Sequence, residues 1–371
     1  MTNHEAANRL FSMEGATHIY SSDPTLLTPA DLYQIKNNPA QFAALQSCNI
    51  YLIVRRQRIY LDSQGFSCNG RVVTGNFLVR REKTLTPIPF TFEISEESLP
   101  REIPILQVAV AENGCTMLIT TPLGQHEISV NVVVARAKST LSDQETGLVV
   151  LYVGQSIGKK NPRTALDRLL SHTTLQRILA ETSTYFYERE VLLLLYRFEH
   201  GRTLISNGGD FNVDFEACDQ RDAAHLNRLR NIRLNRHDIV SLAEAALINY
   251  FKPDYNKLLK STNFANGRLS VLKQLLSKGI AGLIVELSTV NLRSRIGTFH
   301  APPTDLTNIM SIEVLEGRYI DDELIKQQWQ EELVRMAHTH IARFALTTPK
   351  ERETFLHGVV FSGHSDRFMG C

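Results

Sequence analysis

The sequence predicts an α+β protein, on three observations. Short runs rich in β-branched and aromatic residues, separated by Gly, Asn, Ser and Pro, fill the first third of the chain and predict strands. Two later segments begin with helix-capping residues and end at polar turns, which is typical of amphipathic helices. The 371 residues, 43% hydrophobic and 21% charged, have a globular composition. At about 100 to 200 residues per domain, the length predicts two or three domains.

Composition excludes several classes of protein. Residues 1–10 lack both the basic start and the apolar run of a secretory signal. No apolar stretch approaches the ~18 residues that a membrane helix needs, so we expect a cytoplasmic protein that does not bind membranes. The five cysteines are odd in number and widely scattered, which argues against a disulfide framework and against a thiolate zinc site.

Residues 1–125 predict a β-rich N-terminal domain of unknown role. A short helix opens it, with Thr28 as the cap and Pro29 in the first turn. Six strands follow, at 49–55, 58–61, 71–79, 89–94, 105–111 and 116–121.

Residues 126–262 predict a second domain with a hairpin and a buried strand. The run ISVNVVVA from Ile128 and the run GLVVLYVG from Gly147 are joined by a polar turn, so we expect them to pair. The continuous apolar run at 191–198 is typical of a central strand that is buried on both faces.

Two helices complete this second domain. Asn161 and Pro162 provide a cap and a first-turn proline for a helix that ends near residue 182. After a long polar stretch, Asp238 caps a helix that ends before Pro253. Residues 263–371 predict a C-terminal α/β element with a helix at 269–278, strands at 281–287, 295–299 and 310–315, and a helix at 321–344.

Positive charge is concentrated in the middle of the chain. Residues 151–280 carry 19 basic and 13 acidic side chains, although the whole chain has a net charge of only +1. Such a surface can bind phosphates by displacing counterions, but it can also be an ordinary solvated helix face. Part of the excess is an arginine cluster ahead of the second helix: Arg221, Arg228, Arg230, Arg233 and Arg236.

Glu244 is the most informative candidate for a functional residue. A carboxylate on the apolar face of a helix costs several kcal/mol unless it is neutralised, hydrogen-bonded or bound to a cation. Pairing with a nearby arginine, or a position at the rim of the apolar stripe, would also explain it. Its helical neighbours are Val240, Leu247, Ile248 and Phe251.

Four further residues are candidates. Arg168 and His172 are four apart on the first predicted helix, so they share a face and offer a phosphate-binding fork and a proton donor or acceptor. Both could instead be ordinary solvent-facing residues. Tyr152, at the end of a predicted strand, could be a core residue. Asn256, in the turn after the second helix, could simply stabilise that turn.

Together these segments resemble the GIY-YIG nuclease superfamily. The resemblance lies in three segments: LYVGQS at 151–156, ALDRLLSH at 165–172 and EAALINYFKPDYNKLLK at 244–260. The twelve-residue separation of Glu244 from Asn256 and the Lys252-Pro253 pair are its most specific features. It covers residues 128–262, about a third of the chain.

The resemblance implies a small mixed sheet, flanked by helices, that cuts phosphodiesters with one divalent cation, Mg²⁺ or Mn²⁺. Glu244 would hold the cation, and Arg168 would stabilise charge on the phosphate. Tyr152 and His172 would orient or deprotonate the nucleophile, and Asn256 would brace the site. One carboxylate suffices for a hard cation whose other ligands are waters and phosphate oxygens.

The sequence departs from the family pattern in two places, and one of them is the turn of about ten residues between the two predicted strands, which is longer than usual. The run at 128–135 has valines where the tyrosine of the first, GIY half should lie, which leaves the general base open between His172 and Tyr152. The polar stretch at 199–236 is also longer than in compact members.

We therefore expect a metal-dependent endonuclease, with DNA as the favoured nucleic acid. Arg228, Arg230, Arg233, Arg236 and Lys252 would bind its backbone. A nucleic-acid-binding protein of the same fold that has lost turnover is one alternative, and a scaffold for protein contacts is another. The terminal domains could mediate homo-oligomers or bind a protein partner.

Overall fold

The computed structural model describes residue 11 and residues 13–96, 98–157, 164–206, 219–258, 260 and 270–347. The protein is α+β, as the sequence predicts, and its described strands form four sheets. The strands are β1 (Glu14–Ser21), β2 (Thr25–Leu27), β3 (Ile50–Gln57), β4 (Ile59–Leu61), β5 (Ser67–Asn69), β6 (Val72–Arg81), β7 (Thr84–Glu93), β8 (Gln107–Val110), β9 (Thr116–Thr121), β10 (Gly124–Ser129), β11 (Lys138–Ser139), β12 (Leu148–Gln155), β13 (Arg189–Tyr196), β14 (Phe198–Ser206), β15 (Ile280–Ser288), β16 (Ile296–Gly297) and β17 (Thr339–Ala345).

The helices are mostly short and lie on the faces of the sheets. They are α1 (Asp31–Lys36), α2 (Pro39–Ala44), α3 (Val130–Arg136), α4 (Asp143–Thr146), α5 (Ala165–Leu169), α6 (Thr173–Tyr185), α7 (Asp219–Arg230), α8 (Arg236–Phe251), α9 (Ser270–Ser277), α10 (Ile312–Leu315) and α11 (Glu323–Ala337). No helix among the described residues is both long enough and apolar enough to cross a membrane.

The first core sheet has the strand order β16-β12-β3-β13-β2 and is mixed. Its central strand β3 runs antiparallel to both β12 and β13, and β12 is parallel to β16. The buried strand predicted at 191–198 is confirmed by β13, whose last six residues are buried. The hairpin partner predicted for β12 is wrong, because β3 and not the run at 128–135 pairs with it.

The valine-rich run at 128–135 forms helix α3 instead of a strand. The Ser129 hydroxyl accepts a hydrogen bond from the backbone N–H of Asn131 at 3.3 Å and so caps this helix. Val130, Val133 and Val134 are buried, and a short apolar run that is buried on most sides fits either a strand or a helix. Tertiary packing therefore decided a choice that periodicity left open.

A β-rich lobe is inserted between the neighbouring strands β3 and β12. The chain leaves the core sheet after Gln57 and returns at Leu148, and residues 58–147, here called the inserted lobe, build two further sheets. These sheets have the orders β11-β7-β6-β4, with β5 on β6, and β10-β9-β8. The lobe has its own apolar core, which includes Phe77, Phe90 and Phe92.

The second core sheet joins distant parts of the chain, in the order β14-β1-β15-β17. Strand β1 pairs with β14 and β15, and β15 pairs with β17. Both core sheets thus cross the predicted domain boundaries at residues 125 and 262. A division into three consecutive segments does not describe them, because the strands at 14–57 and 280–345 complete the same two sheets.

Helix α8 lies between the two core sheets. Its Val240, Leu247 and Phe251 belong to one apolar cluster with Leu52 of β3 and Val285 of β15. Helices α5 and α6 cover the opposite face of the first sheet, where Tyr51 and Ile53 alternate with the residues that face α8.

Several predicted helices and strands have different boundaries. The first central helix is broken into α5 and α6, and its predicted cap, Asn161 and Pro162, lies outside the described residues. Helix α8 begins two residues before Asp238, with Asn235 as its cap. The strand predicted at 310–315 is replaced by α10, and the helix predicted at 321–344 ends at Ala337 before β17.

Candidate functional site

The site begins with two tyrosines on adjacent strands. Tyr152 lies opposite Ile53 in the register of β12 and β3, and Gly154 lies opposite Tyr51. The Tyr51 ring is fully buried, and its centroid is 6.2 Å from that of Tyr152. The pairing of β12 with β3 brings Tyr51 and Tyr152 side by side, although the inserted lobe separates them by 101 positions in the sequence.

Gly154 makes this arrangement possible. A Cβ atom at this position would lie 2.5 Å from the Tyr51 ring carbon Cζ and from its hydroxyl, and 2.7 Å from Cε1 of Tyr152. Real Cβ atoms almost never come this close to neighbouring atoms. The glycine that ends the LYVG run therefore provides the space into which Tyr51 packs.

His172 packs edge-on against both tyrosines and caps helix α6. Its ring centroid is 5.7 Å from that of Tyr51 and 5.0 Å from that of Tyr152. Its Nδ1 accepts a hydrogen bond from the backbone N–H of Leu175 at 3.1 Å. The expectation that Arg168 and His172 share one helical face is wrong, because His172 lies in the break between α5 and α6.

The cap fixes the protonation of His172. Since Nδ1 accepts from a backbone donor, the neutral ring carries its proton on Nε2. Burial, with a contribution from the Arg168 charge, lowers the pKa of His172 below its ordinary value. His172 is thus a neutral hydrogen-bond donor at Nε2 around pH 7.

Arg168 is presented by the short helix α5. A capping box between Thr164 and Asp167 starts this helix, and buried Leu166 and Leu169 anchor it, which leaves Arg168 exposed. The Arg168 guanidinium is close enough to lower the pKa of Tyr152 and that of His172, in each case after the larger effect of burial.

Glu244 approaches from α8, on the other side of the sheet. Its four apolar helical neighbours are buried, as the stripe in the sequence predicts. Burial raises the pKa of the Glu244 carboxyl, while the charge of Arg168 and hydrogen bonds from Gln155 lower it. Gln155 is the residue at the end of β12, so Glu244 meets the tyrosine strand where that strand ends.

Asn256 ties the turn after α8 to the same strand. Its side-chain Nδ2 donates to the carbonyl of Val153 at 2.9 Å, and its Oδ1 accepts from the N–H of Val153 at 2.9 Å. Lys252, in the left-handed conformation with φ 47°, ends the helix and directs the chain back towards β12. Asn256 therefore braces β12 at Val153, the residue between Tyr152 and Gly154.

The five candidate residues converge on one end of β12. Charge from Arg168 acts on Tyr51, Tyr152 and His172, and also on Glu244. Within the described part of the chain, no ion pair within 4.0 Å joins Arg168 to Glu244 or to any other carboxylate. The charge of the guanidinium therefore reaches the carboxylate, although the two do not form an ion pair.

The basic residues predicted to bind nucleic acid divide into two groups. Arg228 and Arg230 on α7, together with Arg233 and Lys252, are exposed. Arg236 is different, because it donates from Nε to Asn49 Oδ1 and from a terminal nitrogen to the Ser47 carbonyl, each at 2.8 Å.

Arg236 also donates to the carbonyl of Phe198, so all three of its nitrogens bond to the protein. Its guanidinium fixes the segment that precedes β3. The prediction that Arg236 binds nucleic acid is therefore replaced by a structural role.

Two residues of the site were missed by the sequence interpretation. Tyr51 follows Asn49 and Ile50 at the start of β3, and its ring lies beside that of Tyr152. Gln155 lies within the LYVGQS run, but no role was assigned to it. The sequence does show Tyr51 near the start of an apolar strand. Its pairing with β12 is not evident from the sequence, because the inserted lobe lies between the two strands.

Comparison with protein-family models, with characterised proteins and with solved structures gives no match to this chain.

Proposed function

We propose that this protein is a metal-dependent endonuclease that hydrolyses phosphodiester bonds in nucleic acid, with DNA as the favoured substrate. One observation carries the proposal. A single exposed arginine, Arg168, acts electrostatically on two tyrosine hydroxyls, a neutral histidine and a buried carboxylate, and it forms no ion pair within the described residues. Arginine is suited to stabilising the charge that builds up on a phosphate during displacement.

Tyr51 removes the main departure from the GIY-YIG pattern. Each tyrosine hydroxyl has a pKa raised by burial, so both are protonated at neutral pH and can donate as well as accept hydrogen bonds. The Tyr51 hydroxyl is buried and makes no hydrogen bond of normal geometry in the described residues. A hydroxyl of this kind is available to a phosphate oxygen or to the attacking water.

His172 would orient the nucleophile and not deprotonate it. In this tautomer Nε2 already carries the proton, and the only basic nitrogen, Nδ1, accepts from the Leu175 N–H, so the ring has no free site for a second proton. The lowered pKa also opposes a cation in this buried position beside Arg168. Its Nε2–H can instead donate a hydrogen bond to the attacking oxygen or to the phosphate. The role of general base, left open by the sequence, is therefore not assigned to His172.

The residues present fit one hard divalent cation, Mg²⁺ or Mn²⁺. Glu244 offers a carboxylate, and the amide oxygen of the neighbouring Gln155 is buried without a hydrogen-bond partner in the described structure. Two oxygen donors at one strand end suit a cation that takes its other ligands from water and phosphate. In the described residues no group of three or more His, Cys, Asp and Glu side chains could hold a metal. A bound cation would neutralise the phosphate and favour ionisation of water.

A nucleic-acid-binding protein without turnover is the alternative. The alternative rests on the absence of a first-half tyrosine from 128–135, and the pairing of the Tyr51 and Tyr152 strands supports an endonuclease instead. The alternative is retained as an outcome of the test.

The test is nicking of supercoiled plasmid with Mg²⁺ or Mn²⁺, compared with EDTA. Glu244→Gln and Arg168→Ala should abolish nicking while binding to DNA persists. Two exposed residues of the C-terminal segment provide matched controls, Glu331→Gln and Arg318→Ala, which should leave nicking unchanged. DNA binding with no cation-dependent nicking by the wild-type protein would support the alternative, and nicking that survives both substitutions would refute the assigned site.

A further inference from the structure

Three arginines gather where α6 leads into β13, outside the site described above. Arg58 follows β3, and one of its terminal nitrogens donates to the Arg189 carbonyl at 3.4 Å. Arg55 lies 4.1 Å from the centre of the Phe186 ring, and the charge of Arg189 acts on it. Asp254 is also near Arg55, but within the described residues none of the three arginines forms an ion pair with a carboxylate.

Two further carboxylates near these arginines are already paired, and Asp254 acts on Arg55 alone among the three. Glu188 lies 3.3 Å from Arg80, and Glu190 lies 2.7 Å from the buried Arg56. Like charges held together without a counter-charge raise the free energy of the folded state, and a bound anion relieves this cost. The cluster is therefore arranged for an anion.

A cavity of about 250 Å³ opens beside this cluster. Arg58 and Arg189 line it together with Thr182, Ser183 and Tyr187, and none of its lining residues is acidic. The Nε atom of Arg58 is buried and has no hydrogen-bond partner in the described part of the structure. The Ser183 hydroxyl donates to the Ala180 carbonyl at 3.0 Å, so the guanidinium groups of Arg58 and Arg189 are the donors that match the charge and the acceptors of a phosphate group.

The larger neighbouring cavity is less suitable for phosphate. It measures about 580 Å³ and shares Arg58 and Tyr187 with the smaller one, but Asp62 and Glu112 of the inserted lobe also line it. Their carboxylates would repel an anion. The smaller cavity is therefore the phosphate site.

Exposed aromatic rings beside the cavity favour a nucleic-acid strand over free phosphate. Tyr185, Phe186 and Tyr187 are consecutive, and 72%, 43% and 65% of each is exposed. Aromatic rings interleaved with arginines are the features with which proteins hold single strands, by stacking on the bases and pairing with the backbone. A free inorganic phosphate would gain nothing from these rings.

Helix α6 sets the separation between this cavity and the candidate active site. His172 caps its first turn, and Thr182 lies ten residues further along. At 1.5 Å per residue the two positions are about 15 Å apart. An extended single strand can span this distance with a few nucleotides.

We propose that the cavity lined by Arg58 and Arg189 binds a backbone phosphate of the nucleic acid that the Tyr51–Arg168 site holds, a few nucleotides from the scissile phosphate. This inference rests on the proposed function for the identity of the bound molecule. It gives the strand a path along α6 towards the inserted lobe.

Equilibrium binding in EDTA tests the inference without requiring cleavage. Fluorescent single-stranded DNA would be titrated with the Glu244→Gln protein and with the same protein carrying Arg58→Gln and Arg189→Gln. Each lost phosphate contact should lower the slope of log K against log salt by about one. Between about 50 and 200 mM salt, the loss of one phosphate contact means that the parent should lose about three- to fourfold more affinity than the double-arginine variant. Arg318→Gln in place of the two substitutions should leave the slope unchanged.

Three further arms make the result decisive. Arg189→Glu, at an exposed position, gives the same loss of affinity if Arg58→Gln impairs folding. Strands of about two nucleotides, which are too short to reach both sites, should bind both proteins equally, whereas strands of about twelve should bind the parent more tightly. Inorganic phosphate should compete only weakly, and strong competition together with an unchanged salt slope would mean a site for free phosphate and would overturn the inference.

The outcomes separate this inference from the proposed function. If the two arginine substitutions leave the salt slope unchanged and the wild-type protein nicks plasmid, the second phosphate site alone is refuted. A reduced slope in a protein that never nicks plasmid supports the site and refutes the endonuclease. A chain that binds no nucleic acid refutes both.

Discussion

The Tyr51 ring lies directly over Gly154, at a distance that no other residue type at position 154 would allow. The methyl group of an alanine there would be 2.5 Å from the tyrosine hydroxyl, closer than any stable contact between such atoms. This packing couples the two strands that carry the tyrosines, although the inserted lobe separates them along the chain. The position of Tyr51 therefore depends on a residue of the other strand.

Gly154→Ala should displace Tyr51 and with it the site. We expect a loss of about 1–3 kcal/mol in the free energy of unfolding, because the extra methyl overpacks a filled region. The rate of plasmid nicking should fall even under conditions in which the Gly154→Ala protein is fully folded. Val149→Ala on the same strand, where the side chain is 45% exposed, is the control and should change stability by less than about 0.5 kcal/mol. Urea unfolding measures the stability of both variants. A Gly154→Ala protein as stable as the wild type would contradict the packing described.

Tyr51→Phe separates the chemical role of the hydroxyl from its packing. The buried hydroxyl makes no normal hydrogen bond in the described residues, so its removal should leave stability within about 1 kcal/mol or increase it. Nicking should nevertheless fall by about 10²-fold if the hydroxyl contacts the nucleophile or phosphate.

Tyr196→Phe is a closely matched control for this substitution. Tyr196 on β13 is also fully buried and also has a hydroxyl without a partner in the described structure. The two substitutions should affect thermal unfolding alike, but only Tyr51→Phe should reduce nicking. Equal activity in both variants would remove Tyr51 from the site.

The local motifs that carry the candidate residues survive in the fold. Tyr152, Glu244 and Asn256 lie on short segments whose spacing is set by one strand, one helix and one turn. The apolar stripe around Glu244 follows from helical periodicity and is buried as expected.

What the sequence did not reveal depends on contacts between distant segments. Tyr51 could not be matched to β12, because the intervening lobe contains the strands β4 to β11 and an apolar run at 128–135 that looks like the missing strand. His172 was placed within a helix, whereas its ring caps a new one. A break of this kind depends on side-chain hydrogen bonds that periodicity does not encode.

Asn256→Ala should loosen the strand that carries Tyr152. The amide nitrogen and the amide oxygen of Asn256 both bond to the backbone of Val153, so alanine leaves a buried N–H and a buried carbonyl without these partners. We expect a cost of about 1–3 kcal/mol for each group left unpaired. Asn231→Ala, which removes an exposed side chain bonded to its own helix, should cost far less. Chemical denaturation measures the difference, and equal effects would contradict the bracing role.

Arg56 should act as the joint between the core sheet and the inserted lobe. It is 1% exposed, and it donates to Glu190 of β13 and to Asn131 of α3. Arg56→Met leaves Glu190 as an uncompensated charge and should cost about 3–5 kcal/mol.

Arg56→Met combined with Glu190→Leu tests the origin of that cost. If the cost arises from an unpaired buried charge, the double variant should be more stable than Arg56→Met alone. Additive losses in a double-mutant cycle would show instead that the two side chains contribute independently.

The raised pKa of Glu244 predicts opposite effects of pH on the metal-free protein and on cation binding. Burial makes the folded state hold the Glu244 proton more tightly than the unfolded state does. The stabilisation is present at low pH and is lost as the pH rises through the folded-state pKa. In EDTA at pH 7, Glu244→Gln should therefore be more stable than the wild type, because it avoids a buried carboxylate.

Cation binding should reverse this order. Mn²⁺ competes with the proton for the carboxylate, so its affinity should rise with pH and level off above the folded-state pKa of Glu244, which lies above that of an ordinary glutamate. Saturating Mn²⁺ should raise the melting temperature of the wild type but not that of Glu244→Gln. Electron paramagnetic resonance of free Mn²⁺ measures the binding at each pH, and Glu331→Gln should behave as the wild type. Mn²⁺ affinity that is the same with and without the Glu244 carboxylate would place the cation elsewhere.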